Sequence, residues 1–151
     1  MFRGSYTVEE DHKMRMALPE AFFDALHEEE AVSTLIATVD LSVRCVLLYP
    51  YAQWLEVESR LKQLSPFNKE HRRALRLLLG YATEVTLDRH ARFTLPLTLK
   101  LHAGLESRSI LVGQLMRMEC WHPTAWQEAV ASDWSQHADA MSPMPWETVL
   151  G

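Results

Sequence analysis

A chain of 151 residues, 48% hydrophobic and 23% charged, has the make-up of a globular protein and is too apolar for a disordered one. Two cysteines are too few for a disulfide framework, and no run approaches the roughly 20 apolar residues of a membrane span. The formal charge of −5 excludes a uniformly basic nucleic-acid binder, yet Glu119, Glu128, Asp133, Asp139 and Glu147 all follow the last Lys or Arg, Arg117, and without them acidic and basic residues balance at 15 each.

Residues 2 to 10 form the first expected strand, because Phe2, Tyr6 and Val8 alternate with more polar neighbours. Asp11 and Arg15 flank the loop that follows. With three residues between them they can face each other across a hairpin, Asp11 orienting the Arg15 guanidinium or accepting loop amides. Taken alone, one such pair is better read as a surface ion pair worth under about 1 kcal/mol. Pro19 suits the first turn of a helix, and Glu20 to His27 follows with Phe22, Phe23 and Leu26 on its core side. Val32 to Val39 and Arg44 to Tyr49 read as strands apolar enough to be buried, joined by Asp40-Leu41-Ser42-Val43.

Pro50 opens a helix over 51–64, with Trp54, Leu55, Leu61 and Leu64 near helical period. Ser65-Pro66-Phe67-Asn68 breaks it. Asn68 then caps a third helix, Lys69 to Leu79, with Gly80 as its stop. Leu75, Leu78 and Leu79 share one side of this helix, and Arg72, Arg73 and Arg76 another. That basic stripe suits phosphates, or a solvated face paired with acidic residues of a neighbour.

From Ala82 the order is replayed: a strand to Leu87, a tip at 88–92, a strand Phe93 to Leu95, and a helix Pro96 to His102 stopped by Gly104. Strands Ser109 to Gln114 and Met118 to Trp121 precede a closing helix from Pro123 to about Ala131. Beyond Ser132 the residues turn small and acidic, with Pro143 and Pro145, as expected of a loose tail whose Trp134 and Trp146 could dock on a neighbour.

The replay is a duplication. Asp11-His12-Lys13-Met14-Arg15-Met16-Ala17-Leu18-Pro19 returns 77 residues later as Asp88-Arg89-His90-Ala91-Arg92-Phe93-Thr94-Leu95-Pro96. Asp40 and Arg44 share the bare Asp-x-x-x-Arg spacing but lack the Leu-Pro that follows. Tyr49 with Trp54 matches Trp121 with Trp126 at an offset of 72, so the second copy is five residues shorter, a deletion expected between Pro96 and Trp121, where helix-to-strand connections vary most easily. Neither half-unit can bury its apolar face alone, so the two should share one core.

Met1-Phe2-Arg3-Gly4, the Asp11 to Pro19 segment, Leu48-Tyr49-Pro50 with Trp54, Leu77 to Glu84, Asp88 to Arg92 and Leu111-Val112-Gly113 resemble the MraZ family of bacterial transcriptional regulators, over residues 1 to about 126. That family's motif in each half is Asp-x-x-Gly-Arg, usually with Lys before the Gly in the first. Here Met14 and Ala91 stand where Gly is usual. A three-residue hairpin loop commonly ends in the left-handed region, so either the turn type differs or each tip carries about 1 kcal/mol of strain.

Periodicity alone gives a mixed α+β domain. The resemblance implies more: two tandem AbrB-like repeats interlaced as a swapped-hairpin (double-split) β-barrel. The first repeat would span 1–54, a helical linker 55–80, the second repeat 81–126, and the end of the C-terminal helix with a loose acidic tail 127–151. It also implies sequence-specific binding of double-stranded DNA, through repeated boxes at the promoter of the division and cell-wall gene cluster, by a ring-like homo-oligomer. Arg15 would be central, with Lys13, Arg3, Arg89 and Arg92 as further DNA contacts and Asp11 and Asp88 shaping the loops. No cofactor, metal, membrane or small-molecule substrate is expected, and the location would be cytoplasmic and nucleoid-associated.

Two other classes compete. A small enzyme is suggested by Asp11-His12 and Asp88-Arg89-His90, which bring acid and imidazole together, but exposed loops lack the burial that tunes a catalytic pKa. The sequence has no Walker loop, His-Glu-x-x-His, Gly-x-Ser-x-Gly or Cys/His metal spacing. His27, His71, His102, His122 and His137 are scattered, Cys120 beside His122 is a poor site, and Cys45 and Cys120 read as core thiols. An antitoxin-like or structural protein-binding module, acting through the Trp134 and Trp146 tail, is the third reading.

Overall fold

Each repeat builds the same run: strand, short strand, helix, two strands, helix. In the first these are β1 (Ser5–Glu9), β2 (Met16–Ala17), α1 (Glu20–Leu26), β3 (Thr34–Val39), β4 (Val46–Pro50) and α2 (Tyr51–Leu61). A linking helix, α3 (Lys69–Tyr81), leads to β5 (Thr83–Thr86), β6 (Arg92–Phe93), α4 (Leu97–Ala103), β7 (Arg108–Gln114), β8 (Arg117–Trp121) and α5 (Pro123–Asp139), with α6 (Trp146–Leu150) last. The structure, a computed structural model, describes residues 1–28, 32–139 and 146–151.

Six strands form one antiparallel sheet in the order β1-β7-β8-β4-β3-β5, and β2 pairs β6 in a separate ribbon. Exchanging the repeats reverses this order onto itself, so a pseudo-two-fold axis passes between β8 and β4 and between β2 and β6. The first strand of each repeat has left home: β1 pairs with β7, and β5 with β3. The halves are therefore interlaced, as expected. The ladder does not close into a barrel, because β1 and β5 are free ends. The reason is local: β2 and β6 are two residues long, and Pro19 and Pro96, which lack an N–H, turn the chain into α1 and α4 just beyond them.

Pro19, Pro50 and Pro96 hold one conformation (φ −54 to −57°, ψ 142–143°) at the N-caps of α1, α2 and α4. In α1 the Pro19 carbonyl accepts from the amides of Phe22 and Phe23 at 2.9 Å each. The central strands are buried on both faces, which explains their unbroken apolar runs. Val46 and Leu48 of β4 join the main core with Phe22, Phe93, Leu99 and Leu111, while Leu47 and Tyr49 join a second core under α2 and α5. There Tyr49 packs on Trp54 (ring centroids 5.5 Å, 58°) and Trp121 on Trp126 (5.7 Å, 58°), so the repeat in sequence is a repeat in contact.

The shortening of repeat two falls between Pro96 and Trp121, as expected, shared between the segment after the helix (27–33 against 104–107) and the strand-to-strand turn (40–45 against 115–116), where Leu115 takes φ 64°. Two other expectations are corrected. Gly80 does not stop α3, which runs on to Tyr81. Tyr81 packs on the core and lies 5.4 Å from the His102 ring, while buried Thr38 donates to the Leu78 carbonyl at 2.7 Å, and these contacts override the glycine. Leu75 and Leu78 are half-buried but Leu79 is exposed, as are Arg72, Arg73 and Arg76. Finally, α5 continues past Ala131 to Asp139, so Trp134 is helical rather than in a tail. Pro143 and Pro145 lie outside the described residues.

The two ends of the family resemblance meet in space. Residues Phe2 to Gly4 pass so close to Gly113 that a Cβ there would lie 2.3 Å from the Arg3 amide nitrogen, and Gly113 N donates to Gly4 O at 2.8 Å.

Candidate nucleic-acid interface

Both tips are three-residue hairpin loops of one design. In the first, Asp11 N donates to Arg15 O (2.9 Å) and Met14 N to Asp11 O (3.0 Å). In the second, Asp88 N donates to Arg92 O (2.9 Å) and Ala91 N to Asp88 O (3.0 Å). The last loop residue is left-handed in each, Met14 at φ 62° and Ala91 at φ 57°. The loops thus keep the geometry that favours glycine and carry the strain.

The aspartates hold these loops closed. Asp11 Oδ1 accepts from the amides of Lys13 (2.8 Å) and Arg15 (3.0 Å), and Oδ2 from Arg15 Nε (2.9 Å). Asp88 does the same with His90 (2.8 Å), Arg92 (2.9 Å) and Arg92 Nε (3.1 Å). The Arg15 amide, chiefly, with the Lys13 amide and the Arg15 guanidinium, holds the Asp11 carboxyl down to about 2 against a desolvation that opposes it. Asp88 is lowered likewise, chiefly by the Arg92 amide.

Pairing of β2 with β6 sets the tips side by side. Arg15 Nη1 comes within 3.8 Å of Asp88 Oδ2, and Arg92 Nη1 within 3.7 Å of Asp11 Oδ2. Arg15 and Arg92 are half-buried, whereas His12, Lys13, Arg89 and His90 stand exposed at the loop crests. Lys13, Arg15, Arg89 and Arg92 therefore form one group of four cations with two carboxylates. Arg3 does not join them: it lies at the far end of β1, about 20 Å away at the rise of an extended strand. A two-stranded ribbon can enter a major groove, where arginine can donate to guanine O6 and N7.

Local spacing missed two clusters that cross between repeats. Lys100 of α4, 8% exposed, pairs with Glu10 at the base of the first tip. Arg117 donates Nη1 to Tyr49 Oη at 2.7 Å and lies 3.9 Å from Asp40. Asp40, Cys45 and Glu119 bring three potential ligand atoms within 4.8 Å of one another. The Arg117 guanidinium already supplies positive charge beside both carboxylates, and burial pushes the Cys45 thiol well above its usual range, so the cluster is a poor cation site. Burial likewise lifts Cys120 to about 12, and both cysteines are core thiols. Among the described residues no helix is long and apolar enough to cross a membrane.

Residues 1–77, and again 78–142, match the sequence model of the MraZ protein, whose description likens it to an antitoxin. The chain belongs to the MraZ family. It is 42% identical over 146 residues, 97% of its length, to the Transcriptional regulator MraZ of Tolumonas auensis, covering 93% of that protein. The protein of the same name in Shewanella sediminis is 43% identical over 130 residues (86% of this chain, 85% of that one), and that of Yersinia pestis 38% over 144 (95% and 94%). The two MraZ matches meet at Leu77 and Leu78, inside α3, so the unit of sequence is not a unit of packing: each borrows a strand from the other.

Proposed function

We propose that the chain is a sequence-specific DNA-binding transcriptional regulator whose paired tips enter the major groove, with Arg15 at the centre, Lys13, Arg89 and Arg92 beside it, and Arg3 a more distant contact. The observation that carries this is the side-by-side pairing of two cationic hairpin tips through β2 and β6. Relatives named Transcriptional regulator MraZ support it over nearly the whole chain. Following the family, the target would be repeated boxes at the promoter of the division and cell-wall gene cluster, reached by a cytoplasmic, nucleoid-associated protein in the swapped-hairpin class.

The overall charge of −5 makes one subunit a weak binder, and assembly into a ring would offset this by presenting several tips to consecutive boxes at high effective concentration. Affinity then falls steeply with salt and rises with box number. Selection of bound sequences from random duplex DNA tests the reading directly. Recovery of one short repeated motif supports it, and recovery of unrelated sequences refutes it. Arg15→Ala should abolish retardation of the selected duplex while leaving the assembly intact.

A protein-binding, antitoxin-like role has one observation of its own: Trp134 is 71% exposed on the last turns of α5. Removal of residues 132–151 separates the readings, because DNA retardation survives it only if the tips suffice.

A further inference from the structure

Arg15 and Arg92 are the residues that a tip-in-groove reading sends to the DNA, yet neither guanidinium is free. Arg15 gives Nε to Asp11 of its own tip at 2.9 Å and turns Nη1 to 3.8 Å from Asp88 of the other. Arg92 mirrors it, with Nε 3.1 Å from Asp88 and Nη1 3.7 Å from Asp11. Each Oδ2 thus faces two guanidiniums, and the four side chains close a ring that spans both repeats. The cross-tip legs exceed hydrogen-bond length and act as charge contacts. Side-chain exposures of 24–34% weaken each leg through solvent screening, but the ring joins groups that their own tips have already ordered. His12, Lys13, Arg89 and His90, by contrast, have no ion-pair partner among the described residues.

We propose that Asp88 is a positioning residue for Arg15, and Asp11 for Arg92, so that the tips meet DNA as one preorganised unit instead of two independent fingers. This rests on the DNA-binding reading above. A side chain fixed before contact loses less rotamer freedom on binding, and a fork held at a set angle discriminates base edges better than a loose one.

The test uses the full chain and Asp88→Asn, which deletes the charge but keeps an oxygen for the His90 and Arg92 amides, so the second tip retains its turn. The first measurement needs no DNA: the NMR signal of the Arg15 Nε–H should shift and broaden in Asp88→Asn, although the change lies in the other repeat. The second is made in an Arg92→Ala background, where Asp88 has lost its own-tip guanidinium, and what remains to it is Arg15 and the loop amides, which the asparagine oxygen also serves. There Asp88→Asn should weaken binding to the selected duplex by about threefold, the size of a partly exposed ion pair, with unchanged or tighter binding to a random-sequence duplex because a negative charge has gone. An Arg15 signal indifferent to Asp88→Asn overturns the inference. So does equal binding of Arg92→Ala with and without the second change. If the wild-type chain retards no duplex at all, the DNA reading fails, and the NMR measurement still decides the cross-tip coupling alone.

Discussion

Met14 at φ 62° and Ala91 at φ 57° occupy the left-handed conformation that a three-residue loop asks of its last residue, and neither is glycine. A Cβ there is unfavourable by roughly 1–2 kcal/mol, while glycine loosens the unfolded chain and returns part of the gain. Met14→Gly and Ala91→Gly should therefore each stabilise the fold by about 0.5 kcal/mol in chemical denaturation, and a loss of stability in both would show that the loops are not strained. The neighbouring aspartates set an acid limit. Asp11 titrates near 2 in the fold against an ordinary value of 3.8, so in that window the unfolded chain holds more protons. Its contribution to stability is complete above about pH 4 and is lost as pH falls toward 2. A carboxyl NMR titration should put the Asp11 midpoint near 2, and a midpoint at the ordinary value would mean that the amide contacts are absent in solution.

Elements repeat more faithfully than the residues that join them. Shifted by 77, Glu10 corresponds to Leu87 and Lys100 to Phe23: the ion pair on one side of the pseudo-two-fold axis is matched by two apolar residues on the other, Leu87 in the main core and Phe23 packed against that core. Desolvating two charges offsets much of their attraction, so a buried ion pair adds little over an apolar one, whereas a lone survivor is badly placed. Glu10→Leu or Lys100→Phe alone should destabilise by about 3 kcal/mol and the double change by less than about 1. Denaturant titration of the three variants decides it, and a double as damaged as the singles would show that the pair is irreplaceable. The sequence was easiest to read where a cause is local. The three prolines before α1, α2 and α4, the Asn68 cap and the doubly buried strands all followed from neighbours in the chain. The ends of α3 and α5 did not, because Gly80 is carried through by Tyr81 and Leu78 contacts with distant elements, and no proline interrupts α5 before Pro143.

At the scale of the whole molecule, the duplication announced two like tips, but not which groups would meet between them. Local spacing foretells Asp11 with Arg15 and Asp88 with Arg92, while the legs from Arg15 to Asp88 and from Arg92 to Asp11 exist only because β2 lies on β6. The same exchange decides how the chain folds. Residues 1–81 alone would leave β1 without β7, β2 without β6 and β4 without β8, and residues 82–151 alone would leave β5 without β3. Each fragment would expose apolar faces and unpaired strand edges that a few short strands cannot compensate. Neither should give a cooperative unfolding transition or dispersed NMR signals by itself. Mixed from denaturant in equal amounts they should recover the native spectrum, since every missing partner is then present and only the α3-to-β5 join is cut. A single fragment that folds unaided would mean that the repeats are independent domains that merely touch, and the coupling of their tips would lose its structural basis.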